Sequence, residues 1–281
     1  MIVAFVSGNC SIGKTTVACN LAYLLKDTFD VSFFDCDIEK TDATVFLPSK
    51  WIEEKEIVIS VPKIDRSQCN HCLNCVRICQ FGVFLDFKNT IITLPERCAG
   101  CGYCSSFCTR HAIDYKPFVL GTIKKGSYKN LTVIESRINS TAVKADSLLF
   151  NTHSLLNPLG LNVVDCAPLI SEYHFCSALD PDFFVIVTNG SFVETKNFLA
   201  IVQQIQEMNR PFGIVINKAK TEKSFIEDYC QNNNLPILGI LPFEEDVVSG
   251  KTSAYKLVTY SDKWQALYKN LWQRILEEVS Q

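Results

Sequence analysis

Ile2-Val3-Ala4-Phe5-Val6-Ser7-Gly8-Asn9-Cys10-Ser11-Ile12-Gly13-Lys14-Thr15-Thr16 runs from an apolar segment, through a loop with two glycines, into a helical pattern. Residues 2–6 have the length and β-branched content of a buried strand, and Val17, Leu21 and Leu24/Leu25 then recur at helical spacing. Between strand and helix stands G-x4-G-K-T. In such a loop successive backbone N–H groups cradle phosphates, the lysine reaches the β/γ oxygens and the threonine hydroxyl holds Mg²⁺. Gly8, Asn9, Cys10, Ser11, Ile12, Gly13, Lys14, Thr15 and Thr16 are therefore candidate nucleotide contacts, with Thr15 on the metal. A chance glycine-rich turn is the bland alternative. The strand before the motif and the helix after it are the context that separates the two.

Working outward, residues 31–34 form a second strand-like run ending in Asp35-Cys36-Asp37, and residues 161–164 form another ending in Asp165. Carboxylates at the C-terminal ends of parallel strands face the crevice where nucleotides bind, which puts Asp37 and Asp165 beside the loop. Further runs at 131–134, 183–188, 213–216 and 237–241 alternate with helical stretches at 192–208 and 225–232. That interleaving predicts an α/β fold with a mostly parallel, doubly wound sheet.

Eight of the fourteen cysteines interrupt this pattern in two copies of one spacing, Cys69-x2-Cys72-x2-Cys75-x3-Cys79 and Cys98-x2-Cys101-x2-Cys104-x3-Cys108. This is the ligand spacing of a two-cluster bacterial ferredoxin, in which the fourth cysteine of each run serves the other cluster. One [4Fe–4S] cluster would take Cys69, Cys72, Cys75 and Cys108, the second Cys98, Cys101, Cys104 and Cys79. Zinc knuckles and disulfides are the alternatives, but zinc favours paired C-x2-C units. The expected organisation is a discontinuous nucleotide-binding domain, 1–61 and 117–281, with a small α+β ferredoxin domain inserted at 62–116. That insert carries seven cations against four acidic residues, a formal +3, which suits two clusters each adding about two negative charges with their thiolates. Ordinary surface charge is the competing explanation.

Hydrophobic residues make up 47% of the 281, enough for a full core. The N-terminus is apolar for only six residues, so neither a secretory signal nor a membrane span is expected. Abundant cysteine without a signal points to the cytoplasm. A formal charge of −3 without a Lys/Arg block gives no footprint for nucleic acid. The tail places Trp264, Leu267, Leu271, Ile275 and Val279 on one helical face, and its other faces lack the dense basic charge of a membrane anchor.

The loop, the strand-end Asp-Cys-Asp, the cysteine insertion and the later strand-end aspartate together resemble the MinD/Mrp/nitrogenase-iron-protein family of P-loop ATPases, in its branch with an inserted two-cluster ferredoxin. The resemblance runs from Ile2 to Pro242-Phe243. It implies ATP or ADP with Mg²⁺ as ligands, Lys14 and Asp37 in catalytic roles with Asp37 near the attacking water, Asp165 near Mg²⁺, and Asn217 as the adenine-recognising residue. It also implies a dimer, either of this chain with itself or with a related ATPase subunit.

The sequence departs from that family at three points. The family's signature lysine is Asn9, the two following glycines are Cys10 and Ser11, and the γ-phosphate-sensing glycine after the switch II aspartate is Leu169. A missing trans-acting cation of the arginine-finger kind is worth on the order of 10³–10⁵ in turnover, so binding with slow hydrolysis is expected. Both cysteine runs also lack the usual following proline, having Gln80 and Thr109 instead. The functional expectation is nucleotide-gated electron transfer to a redox partner enzyme. Alternatives are an iron–sulfur assembly carrier, and a MinD-like ATPase of spatial organisation.

Overall fold

Phe33, Phe34, Val163, Val164, Val185 and Ile186 are almost wholly inaccessible to water, because the strands that carry them are covered on both faces. The computed structural model describes residues 1–38, 40–139, 146–168, 180–220, 223–245 and 257–280. Its strands are β1 (Ile2–Val6), β2 (Val31–Cys36), β3 (Lys50–Ile64), β4 (Phe84–Phe87), β5 (Thr90–Thr93), β6 (Ile113–Tyr128), β7 (Leu131–Ile138), β8 (Leu161–Cys166), β9 (Phe183–Thr188), β10 (Phe212–Ala219) and β11 (Ile237–Pro242). Its helices are α1 (Lys14–Leu25), α2 (Ala43–Phe46), α3 (Asn74–Ile78), α4 (Tyr103–Ser106), α5 (Asp146–His153), α6 (Thr195–Glu207), α7 (Phe225–Asn232), α8 (Leu257–Tyr260) and α9 (Asp262–Val279).

Nine strands form one sheet in the order β11-β10-β9-β1-β8-β2-β7-β6-β3. Every pairing from β11 to β7 is parallel, and β7, β6 and β3 pair antiparallel. Side chains alternate across the sheet with period two. Val3, Phe5, Phe33 and Val163 consequently pack beneath α1, α8 and α9, while Ala4, Val6, Phe34 and Val164 pack beneath α5, α6 and α7. Each large apolar side chain so buried contributes roughly 1.5–3 kcal/mol.

The tail packs into the core, but on a face rotated from the expected stripe. Trp264, Tyr268, Leu271, Trp272 and Ile275 are buried, and Val279 is exposed. Among the described residues no helix is long and apolar enough to cross a membrane.

Strands β3 and β6 correct the sequence reading, which anticipated no antiparallel ribbon there. They pair from Lys50↔Ser127 to Ile64↔Ile113, with register shifts between Trp51 and Glu53 and between Ile57 and Val58, and run across positions 62 and 116. At the far end of this ribbon, α3, α4 and the β4–β5 hairpin surround a small separate core of Val61, Cys75, Val83, Phe84, Ile91 and Cys98. The module therefore hangs from the sheet on two paired strands. The ribbon was hard to see because Glu53, Glu54, Lys55 and Glu56 are all exposed, so half of β3 lacks the apolar alternation that announces a strand.

Candidate nucleotide site and cysteine module

The turn between β1 and α1 lies at the C-terminal edge of the parallel sheet. Gly13 caps α1 at φ 91° and accepts from Val17 N at 3.0 Å, a conformation that glycine adopts without steric cost. A methyl group there would also come within 2.4 Å of the Asn217 amide nitrogen. Residues 9–16, Asp37 and Lys218 border one open cavity of about 570 Å³. Gly8 does not line it. The structure thus brings the loop and the strand-end Asp37 together.

Lys14 forms a buried ion pair with Asp165. Burial alone would lower the lysine pKa, but the Asp165 carboxylate, aided by its hydrogen bond and by Asp37, holds it above the ordinary value. The second Asp165 oxygen, Oδ2, is buried and has no hydrogen-bond partner among the described residues. A buried acceptor left so costs about 1–3 kcal/mol. Its position beside the loop lysine suits a divalent cation or a water bound to one, so the donor set fits Mg²⁺ with a nucleotide.

Asp35, cross-strand neighbour of Asp165, is a site residue that sequence reasoning passed over in favour of Asp37. Its oxygens accept from Asp37 N at 3.2 Å and Ala43 N at 3.1 Å, which fixes how the chain leaves β2. Burial, and then the Asp165 charge, push its carboxyl well above the usual range.

Three more side chains reach the loop from distant sequence. Asn197 on α6 donates to Gly8 O at 3.1 Å and to Asn9 Oδ1 at 2.6 Å. Asn217 on β10 donates to Ile12 O at 2.8 Å, and Lys218 donates to Ser11 O at 2.9 Å. The structure places Asn217 against the phosphate loop itself through this amide. Neither Asn197 nor Lys218 carried a sequence signal. Leu169 lies outside the described residues.

In the hanging module the eight cysteines sort into two sets. Cys69, Cys72, Cys75 and Cys108 line one narrow hollow of about 20 Å³, and Cys79, Cys98, Cys101 and Cys104 line another of about 370 Å³. The last cysteine of each run thus faces the first three of the other. Backbone N–H groups donate to three sulfurs: Val83 to Cys79 at 3.5 Å, Gly100 to Cys98 at 3.3 Å and Ala112 to Cys108 at 3.3 Å. Donors of this kind favour sulfur in its thiolate form. Burial pushes the Cys75 thiol up to about 11. His71 pairs through Nε2 with Asp86 at 2.9 Å. Among the described residues no group of three or more His, Cys, Asp or Glu side chains is placed to hold a single metal ion. In a cubane each thiolate binds a different iron, so the ligands stand around a volume rather than a point. The donor chemistry fits that group, with the first hollow the tighter of the two.

The whole fold is similar to solved nucleotide-binding proteins. The cell-division ATPase MinD of Pyrococcus furiosus superposes with a TM-score of 0.59 at 15% identity, covering 98% of each chain. MinD of Pyrococcus horikoshii, complexed with Mg-ADP, gives 0.57 at 14% identity over 96% of this chain and 93% of that one. A ParA family ATPase of Chlorobium tepidum gives 0.57 at 15% identity over 98% and 97%. An uncharacterized protein of Methanocaldococcus jannaschii is 23% identical over 250 residues, 83% of this chain and 91% of its own length. A second from that organism is 22% identical over 99% of this chain and 98% of its own. Residues 3–254 match the CobQ/CobB/MinD/ParA nucleotide binding domain, and the chain belongs to that family.

Proposed function

We propose that this protein is a Mg-ATP- and Mg-ADP-responsive switch of the MinD/ParA kind that also carries two [4Fe–4S] clusters and delivers electrons to a redox partner enzyme. The observation that carries the redox half is the sorting of eight cysteines into two sets of four, with Cys108 and Cys79 exchanged between runs. Bound clusters would supply one-electron transfer. Lys14 holds phosphate, Thr15 and Asp165 serve the Mg²⁺ side, and Asp37 borders the same cavity. Asn9 offers no cation at the loop, so turnover by the chain alone is slow; the chain dimerises with itself or with a related ATPase subunit, and only a related subunit brings the absent cation to the site.

The test is iron and acid-labile sulfide content after anaerobic reconstitution, followed by calorimetry with Mg-ADP. Close to eight irons per chain are expected, together with saturable nucleotide binding. Zinc in place of iron would overturn the redox half.

The fold likeness to MinD and ParA structures over nearly the whole chain favours a second reading. In that reading the protein is an ATPase that organises partners in space, and the cysteine module is a docking element. A metal-free chain that binds Mg-ATP and dimerises as well as the reconstituted one would support it. A cluster carrier fits less well, because all eight ligands are supplied by this chain and leave no labile corner.

A further inference from the structure

Ser11 lies at φ 64°, in the left-handed region that glycine enters freely and an L side chain enters at a cost. Its carbonyl accepts from Lys218 Nζ at 2.9 Å, across 207 positions of sequence. Lys218 itself stands at φ 54° at the end of β10. The next loop carbonyl, Ile12 O, accepts from the adjacent side chain, Asn217, at 2.8 Å. Two consecutive loop carbonyls are thus held by two consecutive side chains.

In a trans peptide the C=O and the following N–H lie in one plane and point opposite ways. Holding Ser11 O and Ile12 O toward β10 therefore turns the N–H groups of Ile12 and Gly13 away from β10, the arrangement that makes a concave anion site. Strained backbone persists only where its surroundings hold it, and here the hold comes from a lysine half-buried at the rim of the cavity. We propose that Lys218 is a positioning residue that, with Asn217, keeps the phosphate loop in its anion-binding shape where Ser11 occupies a position suited to glycine. The proposal rests on the nucleotide reading above and adds the means by which that site is maintained.

The experiment is a double-mutant cycle on the full chain, read by Mg-ADP calorimetry. Lys218→Met should weaken binding about tenfold in the native background, and Lys218→Arg, which keeps a donor, should recover most of that loss. Ser11→Gly removes the strain, so adding Lys218→Met to it should cost no more than about twofold. Equal losses with and without Ser11→Gly would overturn the proposal, because a lysine that acts only by attracting phosphate does not depend on residue 11. Amide hydrogen exchange over residues 8–16 in the nucleotide-free chain separates this from failure of the nucleotide reading. Faster exchange in Lys218→Met than in the native chain supports the positioning role even if no nucleotide binds, and unchanged exchange overturns it.

Discussion

Replacing Lys14 with methionine removes one charge from the Lys14–Asp165 pair while keeping most of the side-chain volume. Lys14 is 6% and Asp165 0% exposed. Opposite charges 4 Å apart attract by about 4 kcal/mol at an effective dielectric near 20, and breaking a buried pair from one side typically costs about 3–5 kcal/mol. The two figures agree because the main cost is a carboxylate left buried without its cation. Asp35 aggravates it. Its pKa is already raised by burial and by Asp165, and Lys14 is one of the groups holding it down, so the substitution drives it higher. A carboxyl whose folded pKa exceeds its unfolded value binds more protons folded than unfolded. Stability is then greatest below the unfolded pKa and falls as pH rises through the folded one.

The assay is urea unfolding of nucleotide-free protein at pH 5 and pH 7, followed by fluorescence of the buried Trp264 and Trp272. Lys14→Met should lose about 3–5 kcal/mol at pH 7 and less at pH 5. Adding Asp165→Asn removes the orphaned charge and should restore most of the loss. If Lys14→Met unfolds at the native urea concentration at pH 7, or if the double variant is weaker than either single one, the pair does not compensate buried charge and the reasoning fails.

Gly13→Ala should abolish Mg-ADP binding and lower the melting temperature, since a methyl there meets Asn217 at 2.4 Å with φ at 91°; unchanged calorimetry would refute the loop geometry. Cys79→Ser should strip the cluster seated by Cys98, Cys101 and Cys104 and leave about four irons of eight, whereas loss confined to the other set would refute the crossed assignment. Asn9→Lys with Leu169→Gly should raise ATP turnover more than either change alone, because groups acting on one transition state are non-additive; phosphate release by the three variants checks it. Trp264→Ala should destabilise the chain by about 3–5 kcal/mol, measured by denaturant unfolding, because this fully packed indole anchors α9 against the sheet.

Runs 2–6, 183–188 and 225–232 coincide with β1, β9 and α7 residue for residue, because each is an uninterrupted apolar or amphipathic pattern between clear breakers. The runs at 31–34 and 161–164 stop two residues short of β2 and β8. The missing residues are Asp35-Cys36 and Asp165-Cys166, polar at their first position yet paired in register at the centre of the sheet. Hydropathy ends a strand where charge begins. Here the charge is the reason the strand continues, since it carries carboxylates to the buried floor of the site. The contacts at the loop were illegible for a different reason. Its sequence explains which atoms face phosphate but not why Ser11 can stand at φ 64°, where glycine is easier. The structural answer lies on α6 and β10, where Asn197, Asn217 and Lys218 seize the carbonyls of Gly8, Ile12 and Ser11. A motif read locally measures only the intrinsic cost of a conformation. Once side chains about two hundred residues away hold that conformation, lost glycines in the loop no longer imply a lost phosphate site, and Asn9 and Leu169 are left as the departures that the turnover assay tests.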